Sequence, residues 1–185
     1  MAAASLHSRF ADLLTPSWRD RPAPVLVPSG VGALDLPRGC LTEIFGPASS
    51  GRTTLLLSAL AQATAREEAC AVVDAADAFD PASAAAAGVR LERVLWVRCG
   101  GHAGHALTAV DLLVQGGGFG LVALDLGDTP PATARRISLS SWFRLRRAVE
   151  HTPTVLLALA RQSNAASCTS LRLEMAQRKP ALLEL

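Results

Sequence analysis

Short apolar runs alternate along the chain with longer segments whose apolar residues recur at helical spacing. The apolar runs are residues 41–45, 70–74, 94–97, 120–124 and 154–160. The segments of helical spacing are residues 53–66, 81–87, 105–115 and 139–149. Strands that are almost wholly apolar are typical of a parallel sheet covered on both faces, and regular alternation with helices favours a doubly wound architecture. The pattern therefore predicts an α/β domain in which helices flank a mostly parallel central sheet.

The two ends of the chain depart from this alternation. Residues 6–14 carry apolar side chains at helical spacing, which predicts a short amphipathic helix. An extended linker follows, because each proline fixes its own φ and restricts the residue before it; the prolines are Pro16, Pro22, Pro24 and Pro28. We therefore predict a helix and proline-rich linker in residues 1–28 and a core domain in residues 29–185. Residues 171–175 and 181–185 predict a terminal β-hairpin.

Composition narrows the class of protein. Of the 185 residues, 50% are hydrophobic and 18% are charged, which is typical of a single globular domain rather than a disordered chain. The net charge of +2 neither demands nor excludes nucleic acid, and the 4% of aromatic residues leaves few side chains to stack on bases. The four cysteines lie far apart, which favours reduced thiols and a cytoplasmic protein. Neither a secretory signal nor a membrane-spanning segment is predicted.

One loop carries most of the candidate chemistry. Residues 46–54 read GPASSGRTT, which has the spacing of the phosphate-binding motif G-x-x-x-x-G-K-[ST] with arginine in place of lysine. The loop follows an apolar strand and leads into a helix, so that its backbone N–H groups would point at a phosphate. The predicted nucleotide contacts from this loop are Gly46, Ser49, Ser50, Gly51, Arg52, Thr53 and Thr54.

Arg52 and two oxygen-bearing side chains define what this loop is expected to do. A guanidinium keeps the positive charge of lysine but is bulkier and forked, so we expect weakened nucleotide binding and badly impaired turnover. Thr53 is either a Mg²⁺ ligand or a helix cap. Asp125, at the end of the apolar run 120–124, either holds a Mg²⁺-bound water beside Thr53 or is a plain turn residue.

A hydrolase also needs a group that orients or deprotonates water. The expected place for it is the end of the strand that follows the loop helix, where the sequence offers Asp74 and Asp77. Neither position is diagnostic by itself.

Two stretches of the chain resemble the RecA recombinase family. Residues 43–55 are similar to its phosphate loop, and residues 71–81 are similar to its D-A-E-x-A-x-D-P signature. The resemblance runs from about Val31 to Glu174. It implies a RecA-like P-loop NTPase fold with ATP or ADP and Mg²⁺ as cofactors. It also implies nucleotide contacts from Asp80, in the signature, and from Gln162, which is similar to the glutamine of the family that senses the γ-phosphate.

The departures from the RecA pattern concern its catalytic equipment. Ala76 stands where the family has its catalytic glutamate, and Ser83 stands where an aromatic residue would stack on adenine. Arg161 replaces the asparagine before Gln162, and the DNA-binding loops are short, at residues 126–138 and 163–169. No catalytic residue is therefore assigned.

A reduced RecA domain of this kind resembles the ImuA group. The similarity lies in residues 36–44, 94–98 and 170–174. It implies an accessory or adaptor protein in SOS DNA repair and translesion mutagenesis, with an error-prone polymerase assembly or RecA as partner. The alternative is a slow DNA-dependent ATPase of the RecA type, in which a carboxylate such as Asp77 substitutes for the missing group.

Two further clusters of side chains are candidates for binding. Arginines concentrate around the fourth helical segment, beside Trp142 and Phe143, and the candidate DNA or partner contacts among them are Arg135, Arg136, Arg144 and Arg147. They form either a surface for phosphates or an acidic partner or a solvated helix face over buried aromatic side chains. Cys99, His102 and His105 have the spacing C-x-x-H-x-x-H but no fourth ligand, so a glycine-rich turn is the better interpretation.

Overall fold

A six-stranded parallel sheet forms the centre of the protein, and helices cover both of its faces. The computed structural model describes residues 23–176. The strands are β1 (Leu26–Pro28), β2 (Asp35–Pro37), β3 (Cys40–Phe45), β4 (Ala69–Asp74), β5 (Val94–Arg98), β6 (Phe119–Asp125), β7 (Val155–Ala160) and β8 (Leu171–Glu174). The helices are α1 (Arg52–Ala65), α2 (Pro81–Ala86), α3 (Ala103–Gly116), α4 (Pro131–Ala134) and α5 (Leu139–Val149), with 3₁₀ turns at Leu91–Arg93 and Ala166–Cys168.

The strand order in the large sheet is β5-β4-β6-β7-β3-β8. Every neighbouring pair in it is parallel. The predicted α/β class with a mostly parallel central sheet flanked by helices is therefore confirmed. Since parallel strands share their direction, the loops after β3, β4, β6 and β7 all meet at one edge of the sheet.

Successive side chains of each strand enter two separate hydrophobic cores. On one face, Val122 and Leu124 of β6 join a core with α3 and α5. On the other face, Leu121 and Ala123 of the same strand join a core with α1 and α2. Strands β4, β6 and β7 are buried on both sides, which explains why their sequences are apolar runs rather than alternating patterns.

A small hairpin was missed in the sequence analysis. Strands β1 and β2 pair antiparallel, with Val27 opposite Leu36, and both of these side chains are buried. Residues 26–28 belong to the segment that was predicted as a linker, so the chain already packs on the domain there. Two three-residue strands that contain Pro28 and Pro37 give too little periodicity to be recognised. The proposed boundary between linker and core stays a prediction.

The remaining differences concern the ends of elements, one short internal helix and the termini. Helix α3 begins at Ala103, two residues before its predicted start, and the short helix α4 was not predicted. Strand β8 lies parallel to β3, where Thr42 pairs with Leu171. The second strand of the predicted terminal hairpin, residues 181–185, and the predicted helix at residues 6–14 lie outside the described residues. Within residues 23–176, no helix combines the length and apolar character needed to cross a bilayer.

Candidate nucleotide-binding site

The loop between β3 and α1 is shaped by glycine. Gly51 precedes the first turn of α1 in a left-handed conformation, with φ of 94°, which glycine adopts at little cost. The N–H of Gly46 donates to the carbonyl of Ala160 at the end of β7, over 3.2 Å. A Cβ atom at Gly46 would lie 2.2 Å from the backbone oxygen of Met175, so a larger residue does not fit. The glycines of the predicted motif therefore have steric reasons for their positions.

A pocket of about 180 Å³ lies beside this loop at the edge where the parallel strands end. Four of the predicted site residues line it together: Ser49, Arg52, Thr53 and Asp125. The other lining residues are Ala48, Leu56, Ala78, Phe79, Gly127, Asp128 and Leu159. Gly46, Ser50 and Gly51 belong to the same loop without lining the pocket, and Thr54 is exposed on α1.

The side chain of Arg52 is buried in this pocket, with 8% of the residue exposed. Its Nη1 lies 3.5 Å from the carbonyl oxygen of Gly127, beyond the end of β6, and its Nε is buried without a hydrogen-bond partner. Burial lowers the pKa of Arg52, and the carboxylates of Asp125 and Asp128 oppose that shift. The guanidinium is thus directed across the pocket at the β6 loop.

Asp125 faces the same pocket from β6. Its Oδ1 accepts a hydrogen bond from the N–H of Gly127 over 2.7 Å. Burial is the main reason why the pKa of Asp125 is raised, and the hydrogen bond from Gly127 partly offsets it. Thr53 lines the same pocket, so the two residues predicted to hold Mg²⁺ lie at one place.

The comparison with families of known proteins shows the family of this chain. Residues 24–131, more than half of the chain, match the RecA N-terminal domain. The chain belongs to the RecA family. A curated relative, Protein RecA of Borrelia hermsii (strain HS1 / DAH), is 39% identical over 101 residues, which make up 55% of this chain and 28% of the relative. The similarity to that protein thus spans little more than a quarter of its length.

The acidic residues after β4 have structural partners in this RecA-family chain. Asp74 is 1% exposed and accepts hydrogen bonds from the N–H groups of Ala76 and Phe79 and from the indole of Trp96. Asp77 points instead towards β5, where it forms an ion pair with Arg98 over 3.2 Å. Neither lines the pocket. The carboxylates that sequence reasoning offered for water activation are therefore engaged elsewhere.

The two nucleotide contacts implied by the RecA resemblance lie outside the pocket lining. Asp80 caps α2, where its carboxylate accepts hydrogen bonds from the N–H groups of Ala82 and Ser83. The hydrogen bonds from Ser83 lower the pKa of Asp80. Gln162 is exposed, and its side-chain oxygen accepts a hydrogen bond from Arg135 over 2.8 Å. Contact of either residue with a nucleotide stays a prediction.

The candidate DNA or partner arginines have different surroundings. Arg135 is bound to Gln162, whereas Arg136 lines a separate cavity of about 490 Å³ together with His102 and His105. Arg144 forms an ion pair with Asp111 of α3 over 3.3 Å.

The aromatic residues beside these arginines divide between core and surface. Trp142 is 1% exposed and belongs to the core, so it cannot stack on a base. Phe143 is 45% exposed, and Arg147 is exposed on the same helix. The interpretation as a helix face over a buried aromatic side chain therefore holds for Trp142, while a binding role for the arginines stays a prediction.

Sequence reasoning missed three residues at the pocket. Gly127 and Asp128 line it directly. Arg161, which follows β7, donates to the Gly127 carbonyl over 3.0 Å and to Asp128 over 3.1 Å. The one signal in the sequence was Arg161 itself, because it replaces the asparagine that the RecA resemblance leads one to expect.

The sequence offered two candidate metal sites, one with His102 and His105 and one with Thr53 and Asp125. His102 and His105 lie beside each other, with ring centroids 4.9 Å apart. Among residues 23–176, no group of three or more His, Cys, Asp or Glu side chains is placed to hold a metal ion. The predicted Mg²⁺ site at Thr53 and Asp125 is of another kind, since Mg²⁺ keeps several waters and needs few protein ligands.

Proposed function

We propose that this protein is a catalytically degenerate RecA-family member that acts as an accessory or adaptor in SOS DNA repair and translesion mutagenesis. In this proposal it works in the cytoplasm, still binds ATP or ADP, and hydrolyses neither at a useful rate. A nucleotide would lie against the loop at residues 46–51 and the pocket next to it. Its phosphates would meet the loop N–H groups, the start of α1 and Arg52.

The observation that carries this proposal is that, among the described residues, every carboxylate near the pocket already has a hydrogen-bond or ion-pair partner within the protein. Asp74 accepts three hydrogen bonds from backbone and indole donors, and Asp77 is paired with Arg98. Asp125 accepts from the Gly127 N–H, and Asp128 is paired with Arg161. General-base catalysis needs a group within hydrogen-bond reach of the attacking water, and Ala76 offers only a methyl group where the family resemblance places its glutamate.

ATP turnover by the purified protein, with and without single-stranded DNA, tests this proposal. We expect no DNA-stimulated release of phosphate above the level of Asp125→Ala. The alternative of a slow DNA-dependent ATPase is supported by Thr53 and Asp125 lining one pocket. Turnover that DNA stimulates and that Asp125→Ala abolishes would establish the ATPase and overturn the degenerate role.

The adaptor role needs a protein partner, for which we propose the error-prone polymerase assembly or RecA. Strand β5 is one edge of the large sheet, and Leu95 on it is 46% exposed. The predicted helix at residues 6–14 is a second candidate surface. Binding to purified RecA and to the polymerase assembly, measured for the whole chain and for Leu95→Lys, tests the edge. Unchanged binding by Leu95→Lys would leave the N-terminal segment as the proposed contact.

DNA contact by Arg135, Arg136, Arg144 and Arg147 is a separate part of the proposal. Phosphate contacts release counterions, so the affinity for DNA should fall steeply as salt rises. A filter-binding titration at several salt concentrations measures this slope. An affinity that does not change with salt would rule these arginines out as phosphate contacts.

A further inference from the structure

Two groups of opposite charge converge on Gly127 inside the pocket. A Cβ atom at Gly127 would lie 2.9 Å from Oδ1 of Asp125 and 3.0 Å from Nη1 of Arg52. These two atoms are therefore within about 6 Å of each other. The guanidinium therefore lies in the same part of the pocket as the carboxylate that the sequence pattern assigned to a hydrated Mg²⁺ ion, without forming an ion pair with it.

This arrangement disfavours a metal ion at Asp125. Mg²⁺ is usually bound through one or two carboxylates together with several waters. Here the carboxylate of Asp125 already accepts the N–H of Gly127 and faces the buried, positively charged guanidinium of Arg52. A divalent cation at Asp125 would be repelled by that guanidinium, so the charges of the residues present do not fit a Mg²⁺ ion unless Arg52 moves away.

The same guanidinium has capacity to bind an anion. Arginine carries five N–H donors in a planar fork that matches phosphate oxygens. In Arg52, Nη1 makes only a long contact to Gly127, and Nε is buried without a hydrogen-bond partner. An unsatisfied buried donor is costly, and a phosphate oxygen would satisfy it. The nearby Arg161 is held by Gly127 and Asp128.

We propose that Arg52 takes the place of the divalent cation, so that the site binds the phosphates of a nucleoside di- or triphosphate without metal. This inference rests on the proposed nucleotide binding. It differs from the expectation of Mg²⁺ at Thr53 and Asp125, because the positive charge beside Asp125 now belongs to the chain. In this proposal Asp125 balances the charge of the guanidinium and does not hold a metal-bound water.

The test is a calorimetric titration of the full-length protein with ADP, once with excess Mg²⁺ and once with EDTA. For the wild type we expect dissociation constants within about threefold of each other. Arg52→Lys shortens the side chain and removes the fork, so its affinity in EDTA should fall at least tenfold and recover with Mg²⁺. Arg98→Lys, an arginine at the same sheet edge but outside the pocket, is the matched control and should behave as the wild type.

The possible outcomes are distinct. Wild-type binding that is tenfold tighter with Mg²⁺ than in EDTA would overturn this inference and leave nucleotide binding intact. The absence of saturable binding under both conditions would overturn the inference and the proposed nucleotide binding together. If Arg52→Lys bound ADP in EDTA as tightly as the wild type does, other groups would be responsible for the metal-independent binding. That result would also overturn the inference. The wild-type comparison decides without any variant, so it stands even if Arg52→Lys does not fold.

Discussion

Asp74 and Asp77 stand three residues apart, yet the structure gives them different tasks. Asp74 is buried at the end of β4 and fixes the following loop through the N–H groups of Ala76 and Phe79. Asp77 lies in a left-handed conformation, with φ of 58°, and pairs with an arginine whose side chain is 60% exposed. Burial and the number of hydrogen-bond donors determine how much each carboxylate contributes to the free energy of unfolding.

These two aspartates give a matched pair of stability predictions. Asp74→Asn places an amide group among N–H donors and should lower the free energy of unfolding by about 1–3 kcal/mol. Asp77→Asn removes only an exposed ion pair, and asparagine tolerates the left-handed conformation, so its effect should stay below about 1 kcal/mol. Chemical denaturation of both variants measures the difference. Equal losses would show that Asp74 does not organise the loop after β4.

For Arg52, the sequence identified the residue as part of the phosphate loop, but it could not predict where the side chain points. The spacing of glycines and threonines is local, so the phosphate loop was predicted from adjacent residues alone. The contact of Arg52 with Gly127 joins positions 75 residues apart. The conformation of a long side chain depends on such distant neighbours, which a motif does not contain. Gly127, Asp128 and Arg161 were missed for the same reason.

Among the elements, β3 is tied to the segment after β7 by one buried carboxylate. Glu43 is 1% exposed and accepts hydrogen bonds from the Ser163 hydroxyl over 2.7 Å and from the N–H groups of Asn164 and Ala165 over 2.6 and 2.9 Å. Strand β3 leads directly into the phosphate loop, and Gln162 immediately precedes the bound segment. The carboxylate thus fixes two parts of the candidate site relative to each other.

Replacing Glu43 with glutamine should therefore be costly. One amide N–H group would face donors, and the charge that strengthens the hydrogen bonds would be lost, so we expect a loss of about 2–4 kcal/mol in the free energy of unfolding. Ser163→Ala removes a single donor from the same carboxylate and should cost about 1 kcal/mol. Urea denaturation compares the two variants. A smaller effect for Glu43→Gln than for Ser163→Ala would contradict this account.

Glu68 connects the end of α1 to the turn between β2 and β3. Its carboxylate pairs with Arg66 over 3.0 Å and also with Arg38. Burial alone would raise the pKa of Glu68, but the hydrogen bonds from the two arginines outweigh burial and lower the pKa overall. The folded state therefore favours the charged carboxylate.

The sign of this shift predicts a dependence of stability on pH. A lowered pKa in the folded state adds stability above the unfolded pKa, near 4.5, and loses it as pH falls through the folded value. The free energy of unfolding of the wild type should therefore exceed that of Glu68→Gln by about 1 kcal/mol at neutral pH. This difference should become smaller as the pH falls. The neighbouring, exposed Glu67 supplies the control variant Glu67→Gln. A difference that grows as pH falls would reverse the proposed sign.

The predicted elements succeeded where burial made the sequence pattern strong. The five predicted strands and four predicted helices occur, with ends displaced by one or two residues, because they carry the apolar residues of both cores. The hairpin of β1 and β2 escaped prediction, since only Val27, Leu36 and Pro37 of its two strands are buried. Three-residue strands are stabilised by the surface on which they pack, and the local sequence does not describe that surface.

Across the whole molecule, the reactivity of the cysteine thiols depends on how well the two cores exclude solvent. Cys40 is partly exposed, whereas Cys70, Cys99 and Cys168 are buried. Burial raises the pKa of Cys70 to about 12 and raises the pKa of Cys99 and Cys168 as well. Since the thiolate is the reactive form, these three thiols should react slowly.

A thiol titration with Ellman's reagent tests this expectation. The native protein should show one fast thiol, and the protein in denaturant should show all four. Cys40→Ser should remove the fast phase and leave three slow thiols. Two or more fast thiols in the native wild type would show that one of the cores opens readily.

The order of strands could not be read from the alternation of apolar and helical segments. Apolar runs identify strands that are buried, but they carry no information about which strands are neighbours. The RecA resemblance implied a mostly parallel sheet, but it was not used to predict an order of strands. The distant pairing of β3 with β7 and β8 shows why a local pattern is insufficient.

That pairing has a consequence for how the chain is made. Glu43 and Ser163 are 120 residues apart, and β3 lies between β7 and β8, which are synthesised after all the other described strands. In an emerging chain, β4, β5 and β6 can pair early. Strand β3 stays without its neighbours, and its apolar side chains remain exposed, until β7 and β8 have been made. The cost of closing so long a loop slows such late pairing. The phosphate-binding loop thus becomes ordered only after β7 and β8 have been made, and a chain truncated before them would expose the strand that precedes the loop to aggregation or to a chaperone.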